Sequence, residues 1–347
     1  MLPPVTALAQ GSTSSPDFFR HLDGDFSNDF SKIGATSTPM NIVILSARTG
    51  WHTDELCRAL SDRGHGARVL PYEGLRAHVG GERGAAALTS ETAAVLNADA
   101  VLARIIPSGS LEQIIYRVDA LHWIEERGVP VMNSPRAIER AVDKFYTTAL
   151  LQDAGLPTPE TVVCERLADA MEAVRAMLPG GDVILKPLFG SMGHGLVRFS
   201  DPDTAFRVLR SLEGIRAVFY LQRAVDHGGR DIRAFVVGGR VTGAIEREAP
   251  DGDWRTNVAR GGSATSFTLP PEWERLATRA AEAVGGDYAG VDLLPSRDGS
   301  VFVLEVNAIP GWQGLQRATG LDVAGAIVAH LEQKALEAPG HRHAVRR

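Results

Sequence analysis

Lys186 closes a short apolar run, Val183-Ile-Leu-Lys186, and is followed four residues later by Gly190-Ser-Met-Gly-His-Gly195. Gly190, Gly193 and Gly195 let the chain bend sharply and approach a ligand closely. Ser191 adds a hydroxyl, and successive backbone N–H groups in such a loop form a nest for anions. A lysine charge beside that nest suits nucleotide phosphates, which is the chemistry of an ATP-using enzyme. The order is not that of the P-loop, whose lysine follows its glycines. Nor is it the G-x-G-x-x-G of dinucleotide folds, which speaks against an NAD-dependent oxidoreductase. Taken alone, the loop also reads as a glycine-rich hairpin with a surface lysine.

A second set of residues suits a hard cation. If Asp298-Gly299 is a two-residue hairpin turn, Asp292 lies directly opposite Glu305, and opposed residues share a face. Asn307 shares that face because strand side chains alternate with period two. Two carboxylates and an amide oxygen match Mg²⁺, which takes one or two carboxylates plus substrate phosphates. A solvated acidic face is the plainer alternative, and a bulge would break the register.

Arginines form the third set. Arg230, Arg233, Arg247, Arg255 and Arg260 crowd a short span with Asp231, Thr256 and Asn257. Arginine clamps stabilise charge in phosphoryl transfer. A two-residue turn at Gly238-Gly239 puts Arg233 and Arg247 on opposite faces. Either a bulge intervenes or only one of them points into the site, and some are plain strand arginines.

The elements that must hold these residues follow from periodicity. Strands at Ile42–Leu45, Ala67–Leu70, Ala100–Ala103 and Val129–Met132 alternate with helices at Thr53–Arg63 and Leu111–Arg127, as in a parallel sheet with crossover helices. Arg104 follows a strand at the carboxyl edge where such sheets bind ligands. It is a candidate for a substrate carboxylate, with a surface arginine as the alternative. Ser134-Pro135 opens a helix carrying Asp143-Lys144. Strands at Thr161–Cys164, Val183–Lys186, Leu196–Phe199 and Ala217–Gln222, with a helix at Leu167–Met177, make an α+β lobe around the glycine loop. Two hairpins follow, Asp231–Val237 with Arg240–Glu246 and Ala289–Pro295 with Val301–Asn307. Helices at Glu272–Val284 and Val323–Glu332 complete the pattern.

A chain of 347 residues suggests two or three domains. A net charge of −6 gives no field for nucleic acid or anionic membrane, and no apolar run is long enough to span a bilayer. Only two cysteines, Cys57 and Cys164, fit a reducing cytoplasm without a disulfide framework. Residues 1–39 lack steady periodicity and read as a disordered extension, or as a start placed too early with Met40 the initiator. Residues 336–347 read as a solvated tail.

Lys144, Lys186 with Gly190–Gly195, and Asp292, Glu305 and Asn307 follow the order and spacing of the ATP-grasp superfamily. The segments Gly229-Arg-Asp-Ile-Arg233, Arg255-Thr-Asn257, Arg260-Gly-Gly262 and Glu305-Val-Asn-Ala-Ile-Pro-Gly311 resemble its RimK-like α-L-glutamate ligase branch. So does Thr319-Gly-Leu-Asp-Val-Ala-Gly325. The resemblance covers roughly residues 41–332. It implies an α/β and α+β ATP-grasp fold behind a Rossmann-like pre-ATP-grasp domain at 40–135. A central lobe would span 136–225 and a C-terminal lobe with the metal site 226–335.

The implied reaction joins a carboxylate and an amine, typically L-glutamate, through an acyl phosphate, using ATP and Mg²⁺ or Mn²⁺, as two ions. Lys144 and Lys186 would bind α/β-phosphates under the loop of Gly190, Ser191, Gly193 and Gly195. Gln222, Arg223 and Ala224 would meet adenine through the backbone, and Asp231 the ribose. Arg255, Thr256 and Asn257 would contact ATP. Arg233, Arg247, Arg255, Asn257 and Arg260 would serve the transferring group and intermediate. Arg223 stands where the family commonly has glutamate, which puts a side-chain contact to adenine in doubt. The acceptor is expected to be a small metabolite, such as a pterin of the tetrahydromethanopterin kind or a deazaflavin. A ribosomal protein terminus and a non-catalytic nucleotide-binding regulator are the alternatives. A homo-oligomer in the cytoplasm is the usual setting.

Overall fold

The structure is a computed structural model describing residues 38–79, 87–88, 91–190, 194–250, 255–256 and 263–338. Ser191, Gly193, Asn257 and Arg260 lie outside the described residues, as do the expected extension through residue 37 and the final basic residues.

The first layer runs β1 (Asn41–Leu45), α1 (Trp51–Asp62), β2 (Gly66–Leu70), β3 (Ala77–His78), β4 (Ala87–Leu88), α2 (Glu91–Leu96), β5 (Ala100–Ala103), α3 (Leu111–Glu126) and β6 (Val131–Met132). Its main sheet has the order β2-β1-β5-β6 with every pair parallel. Val43 and Leu45 face the core under α3, whereas Ile42 and Ile44 face a core shared with residues far along the chain. A strand buried on both faces needs a continuous apolar run, which Ile42-Val-Ile-Leu45 supplies.

Next come α4 (Pro135–Val142), α5 (Lys144–Asp153), β7 (Thr161–Cys164), α6 (Leu167–Met177), β8 (Val183–Lys186), β9 (Val197–Phe199), α7 (Pro202–Glu213) and β10 (Phe219–Arg223). The helix expected to run through Asp143-Lys144 is two helices. Asp143 is extended, and its carboxylate accepts from the Tyr146 N–H at 3.0 Å to start α5. Aspartate at a helix start satisfies an orphan N–H, so a break there outcompetes continuation. Lys144 thereby becomes the first residue of α5. The sheet order is β7-β10-β8-β9, with antiparallel pairing throughout. Val183 and Leu185 of β8 pack under α6 and α7. Alternation sends Ile184 and Lys186 to the other face.

The last layer runs β11 (Arg230–Val237), β12 (Arg240–Glu248), β13 (Ser263–Ser266), α8 (Pro271–Val284), β14 (Tyr288–Pro295), β15 (Val301–Asn307), α9 (Gln313–Thr319) and α10 (Val323–Glu337). Its antiparallel sheet has the order β13-β12-β11-β14-β15. Gly238 and Gly239 take φ of 55° and 75°, the conformation that a two-residue hairpin turn requires. A bulge then follows: Val236 pairs Val241 but Phe235 pairs Gly243, leaving Thr242 over. Arg247 therefore pairs Asp231 and shares a face with Arg233.

The second hairpin departs from the expected turn. Pro295 pairs Val301, so residues 296–300 form the connection rather than Asp298-Gly299 alone. Asp298 instead braces the loop, accepting from Ser300 N at 2.9 Å. A bulge at Leu304 shifts the register back, and Asp292 pairs Glu305 after all. The opposite face of this sheet is apolar and packs on α8 and α5 through Ile232, Ala234, Val291, Val306 and Leu151. Among the described residues no helix is long and apolar enough to cross a membrane.

Candidate active site

The two antiparallel sheets face each other across an open cleft. One wall carries Ile184, Lys186, Leu196, Gln222, Arg223 and Ala224. The other carries Asp231, Arg247, Asp292, Leu294 and Glu305, with Lys144, Gly190, Arg255 and Thr256 also lining the cleft. Of the expected site residues that are described, Arg233, Gly195, Asn307 and Arg104 lie outside this lining.

The cationic end is built by a relay of polar side chains. Lys186 Nζ donates to Gln222 Oε1 at 2.6 Å, and Gln222 Nε2 donates to Thr161 Oγ1 at 2.9 Å and Tyr220 Oη at 3.2 Å. Burial lowers the Lys186 ammonium to about 8; Glu305 pulls against that and Lys144 adds to it. Lys144 Nζ donates to Gly190 O at 2.7 Å, tying α5 to the glycine loop, and its ammonium too is lowered by burial. Two lysines with easily removed protons, held near each other, make a site that gains from an anion between them.

The opposite wall holds a buried ionic network. Arg233 donates through Nε and Nη2 to Asp292, with Nη2 at 2.7 Å from Oδ2. Arg247 reaches the same Oδ2 at 3.0 Å and grips Asp231 through two bonds of 2.6 and 2.7 Å. Thr256 Oγ1 donates to Asp231 as well. Burial pushes the Asp292 carboxyl up, but the two guanidiniums outweigh it and hold it below the usual carboxylate range. Both Asp231 oxygens are thus engaged by protein groups. Asp231, expected to meet the ribose, lines the cleft and also anchors Arg247 and Thr256.

The chemistry of the donor set decides whether a divalent cation fits. Asp292 and Glu305 are directly paired across β14 and β15, and both face the cleft. Asn307 keeps one amide-oxygen lone pair after its Oδ1 accepts from Ile309 N at 2.8 Å. No group of three or more His, Cys, Asp or Glu gathers among the described residues. Glu305 and the Asn307 amide oxygen are hard donors of the kind magnesium takes beside phosphate oxygens, whereas Asp292 would share with the ion oxygens that Arg233 and Arg247 already hold.

Arg104 departs from expectation, and the Arg223 side chain is held by groups of the protein. Arg223 lines the cleft, and its side chain reaches the α6 side. There it bonds Glu160 through Nε at 2.8 Å and Met177 O at 3.0 Å. Arg104 is neither a surface arginine nor a cleft residue: it is 2% exposed and donates to Tyr288 Oη and Pro310 O. Sequence reasoning also missed His194, Arg198 and His227, which line the cleft. Their only signal was proximity to the glycine loop and to Asp231.

A lysine-bearing antiparallel sheet facing a second sheet with paired acids and arginines defines an ATP-grasp ligase. A model of the RimK-like ATP-grasp domain matches residues 141–331, and one of the RimK pre-ATP-grasp domain matches residues 40–138. The chain belongs to this family, in line with the resemblance read from its motifs. It is 38% identical over 261 residues to the tetrahydromethanopterin:alpha-L-glutamate ligase of Methanosarcina acetivorans, covering 67% of this chain and 80% of that one. It is 35% identical over 298 residues to a protein of Alkalilimnicola ehrlichii named "Probable alpha-L-glutamate ligase", covering 85% and 96%. Among solved structures, the ATP-grasp ligase PsnB complexed with minimal precursor superposes with a TM-score of 0.67 at 24% identity, covering 86% of this chain and 100% of that one.

Proposed function

We propose that this ligase adds L-glutamate to the carboxylate of a small pterin-like cofactor, with ATP and magnesium. The single observation that carries the substrate reading is the 38% identity to the tetrahydromethanopterin:alpha-L-glutamate ligase of Methanosarcina acetivorans. The cleft's chemistry supports it. Lys144 and Lys186 bind phosphate oxygens at one end, and the glycine loop through Gly190, Ser191, Gly193 and Gly195 covers them. Gln222, Arg223 and Ala224 present backbone to the base. Asp292, Glu305 and Asn307 would hold the metal, as two ions, which would offset phosphate charge. Arg247, Arg255, Asn257 and Arg260 stabilise the transferring phosphoryl group and the oxyanion of the tetrahedral intermediate. Arg233 fixes Asp292. No side-chain nucleophile is required, since the acceptor carboxylate attacks phosphorus and the glutamate amine attacks the acyl phosphate. The need for ATP fits a cytoplasmic setting, and a homo-oligomer is proposed from the family resemblance alone.

Mass spectrometry after incubation with Mg-ATP, isotope-labelled glutamate and separate small-molecule and ribosomal fractions tests the reading. Label in a small molecule is expected. Label confined to a ribosomal protein would overturn the metabolite acceptor while leaving the ligase.

A further inference from the structure

Three side chains of the parallel-sheet layer reach one short stretch after β15 and take alternate residues of it. Asn133 donates from Nδ2 to Ala308 O, and Arg104 donates from Nη2 to Pro310 O at 3.2 Å. His52 Nε2 accepts from Trp312 N at 3.2 Å. The stretch begins immediately after Asn307, whose own Oδ1 is bonded to Ile309 N within it.

Asn133 is fully buried and uses its whole capacity. Its Nδ2 also donates to Tyr288 O at 2.8 Å, and its Oδ1 accepts from Asp287 N at 2.6 Å and Tyr288 N at 3.1 Å. Carbonyls at one end and N–H groups at the other permit only one orientation of the carboxamide. Arg104 is nearly as buried. Its Nη1 donates to Tyr288 Oη at 3.0 Å, and its guanidinium carbon lies 4.8 Å from the Trp312 ring centroid. Both hydrogen-bond acceptors are neutral. Burying a guanidinium on neutral oxygens is costly. What it secures is geometry, because two nitrogens of one rigid fork hold Tyr288 Oη and Pro310 O in fixed relation. The fit at His52 is equally close: a Cβ on Gly311 would lie 3.3 Å from His52 Nε2. Burial, then the Arg104 charge, lowers His52 to about 4, so the ring remains an acceptor.

We propose that Asn133, Arg104 and His52 are positioning residues that clamp the main chain at 308–312, and through it set Glu305 and Asn307 for the divalent cation. The inference rests on the reading of Glu305 and Asn307 as metal ligands. It gives the pre-ATP-grasp layer a part in building the metal site. Arg104, expected to meet a substrate carboxylate, acts here through Pro310 and Tyr288.

The test is Mn²⁺ binding to the full chain, followed by electron paramagnetic resonance in the presence of ADP, beside ADP binding in EDTA. Arg104→Lys keeps the charge but has one nitrogen, which cannot span both oxygens. Asn133→Asp turns an oxygen toward two carbonyls, and Tyr288→Phe removes one contact gently. In Arg104→Lys and Asn133→Asp, Mn²⁺ affinity is expected to fall about tenfold, the loss of roughly one buried hydrogen bond. Metal-free ADP affinity should hold within about twofold, since the lysine end is untouched. A purely structural role would lower melting temperature and leave Mn²⁺ affinity alone. Should Asn133→Asp not fold, Arg104→Lys and Tyr288→Phe decide. Glu305→Gln separates the two ideas. If it binds Mn²⁺ as the wild type does, the ligand reading fails and the proposal with it. If it loses Mn²⁺ while folded Arg104→Lys and Tyr288→Phe keep wild-type affinity, the positioning claim alone is overturned.

Discussion

Lys186 and Arg223 show how far one residue's role depends on its face of a strand. The Lys186 ammonium is lowered to about 8 because the folded chain withdraws it from water. Phosphate binding favours the charged form, so nucleotide must raise that value and take up a proton between pH 8 and the ordinary lysine range. Affinity for ATP should therefore weaken as pH rises past 8. Calorimetry in two buffers of different ionisation enthalpy should record proton uptake that disappears in Lys186→Ala. That variant should also bind ATP at least about tenfold more weakly, from loss of a charge-assisted bond. Arg223 is the contrasting case. Its side chain pairs with a half-exposed Glu160, a contact worth about 0.2–1 kcal/mol. Arg223→Ala should lower thermal stability by about that much and leave ATP affinity unchanged in a binding titration.

At the scale of elements, two small irregularities place the chemistry. The bulge at Thr242 brings Arg247 onto the face of Arg233 and Asp292, and the bulge at Leu304 brings Glu305 opposite Asp292. Asp143 is a third, because breaking one helix into two puts Lys144 at a helix start beside Gly190. Asp143→Ala should cost about 1 kcal/mol, the usual loss of a helix cap, and raise the KM for ATP. A melting curve and a nucleotide titration check both. The sequence made the strands, glycine turns and cation-bearing residues legible, since period-two alternation and Gly238-Gly239 are local signals. The Asp292–Glu305 pairing was reached through a turn that is not there, since the five-residue connection and the bulge cancel. α7 was missed although Ala205, Val208, Leu209 and Leu212 recur at helical spacing; α9 spans only seven residues, and β13 is a short polar edge strand, Ser263-Ala-Thr-Ser266. The clamp by Asn133 and His52 was invisible because its partners are main-chain groups more than 150 residues away.

The whole molecule is held together by its last helix. α10 buries Val323, Ile327, Val328 and Leu331 in the core that β1 and α1 also line. At its edge Glu332 accepts two bonds from Arg63, at 2.6 and 2.5 Å, and one from His65. Burial pushes the Glu332 carboxyl up, but those bonds outweigh it and hold it below its ordinary value. A carboxyl lowered in the folded state contributes stability above its unfolded pKa and loses it as pH falls through the folded one. Glu332→Gln should accordingly destabilise the chain at pH 7 and flatten the fall in melting temperature below about pH 4.5. Through this helix the parallel-sheet layer is fixed against the arginine-bearing sheet.

The central claim is that this cleft activates a carboxylate as an acyl phosphate for attack by glutamate. The most direct measurement labels the acceptor carboxylate with oxygen-18 and follows the label during turnover with Mg-ATP and L-glutamate. One labelled oxygen should pass into inorganic phosphate for each amide formed, and both transfer and amide should vanish in Lys186→Ala and Glu305→Ala. Amide formation with phosphate free of label, or unchanged turnover in both variants, would contradict the account.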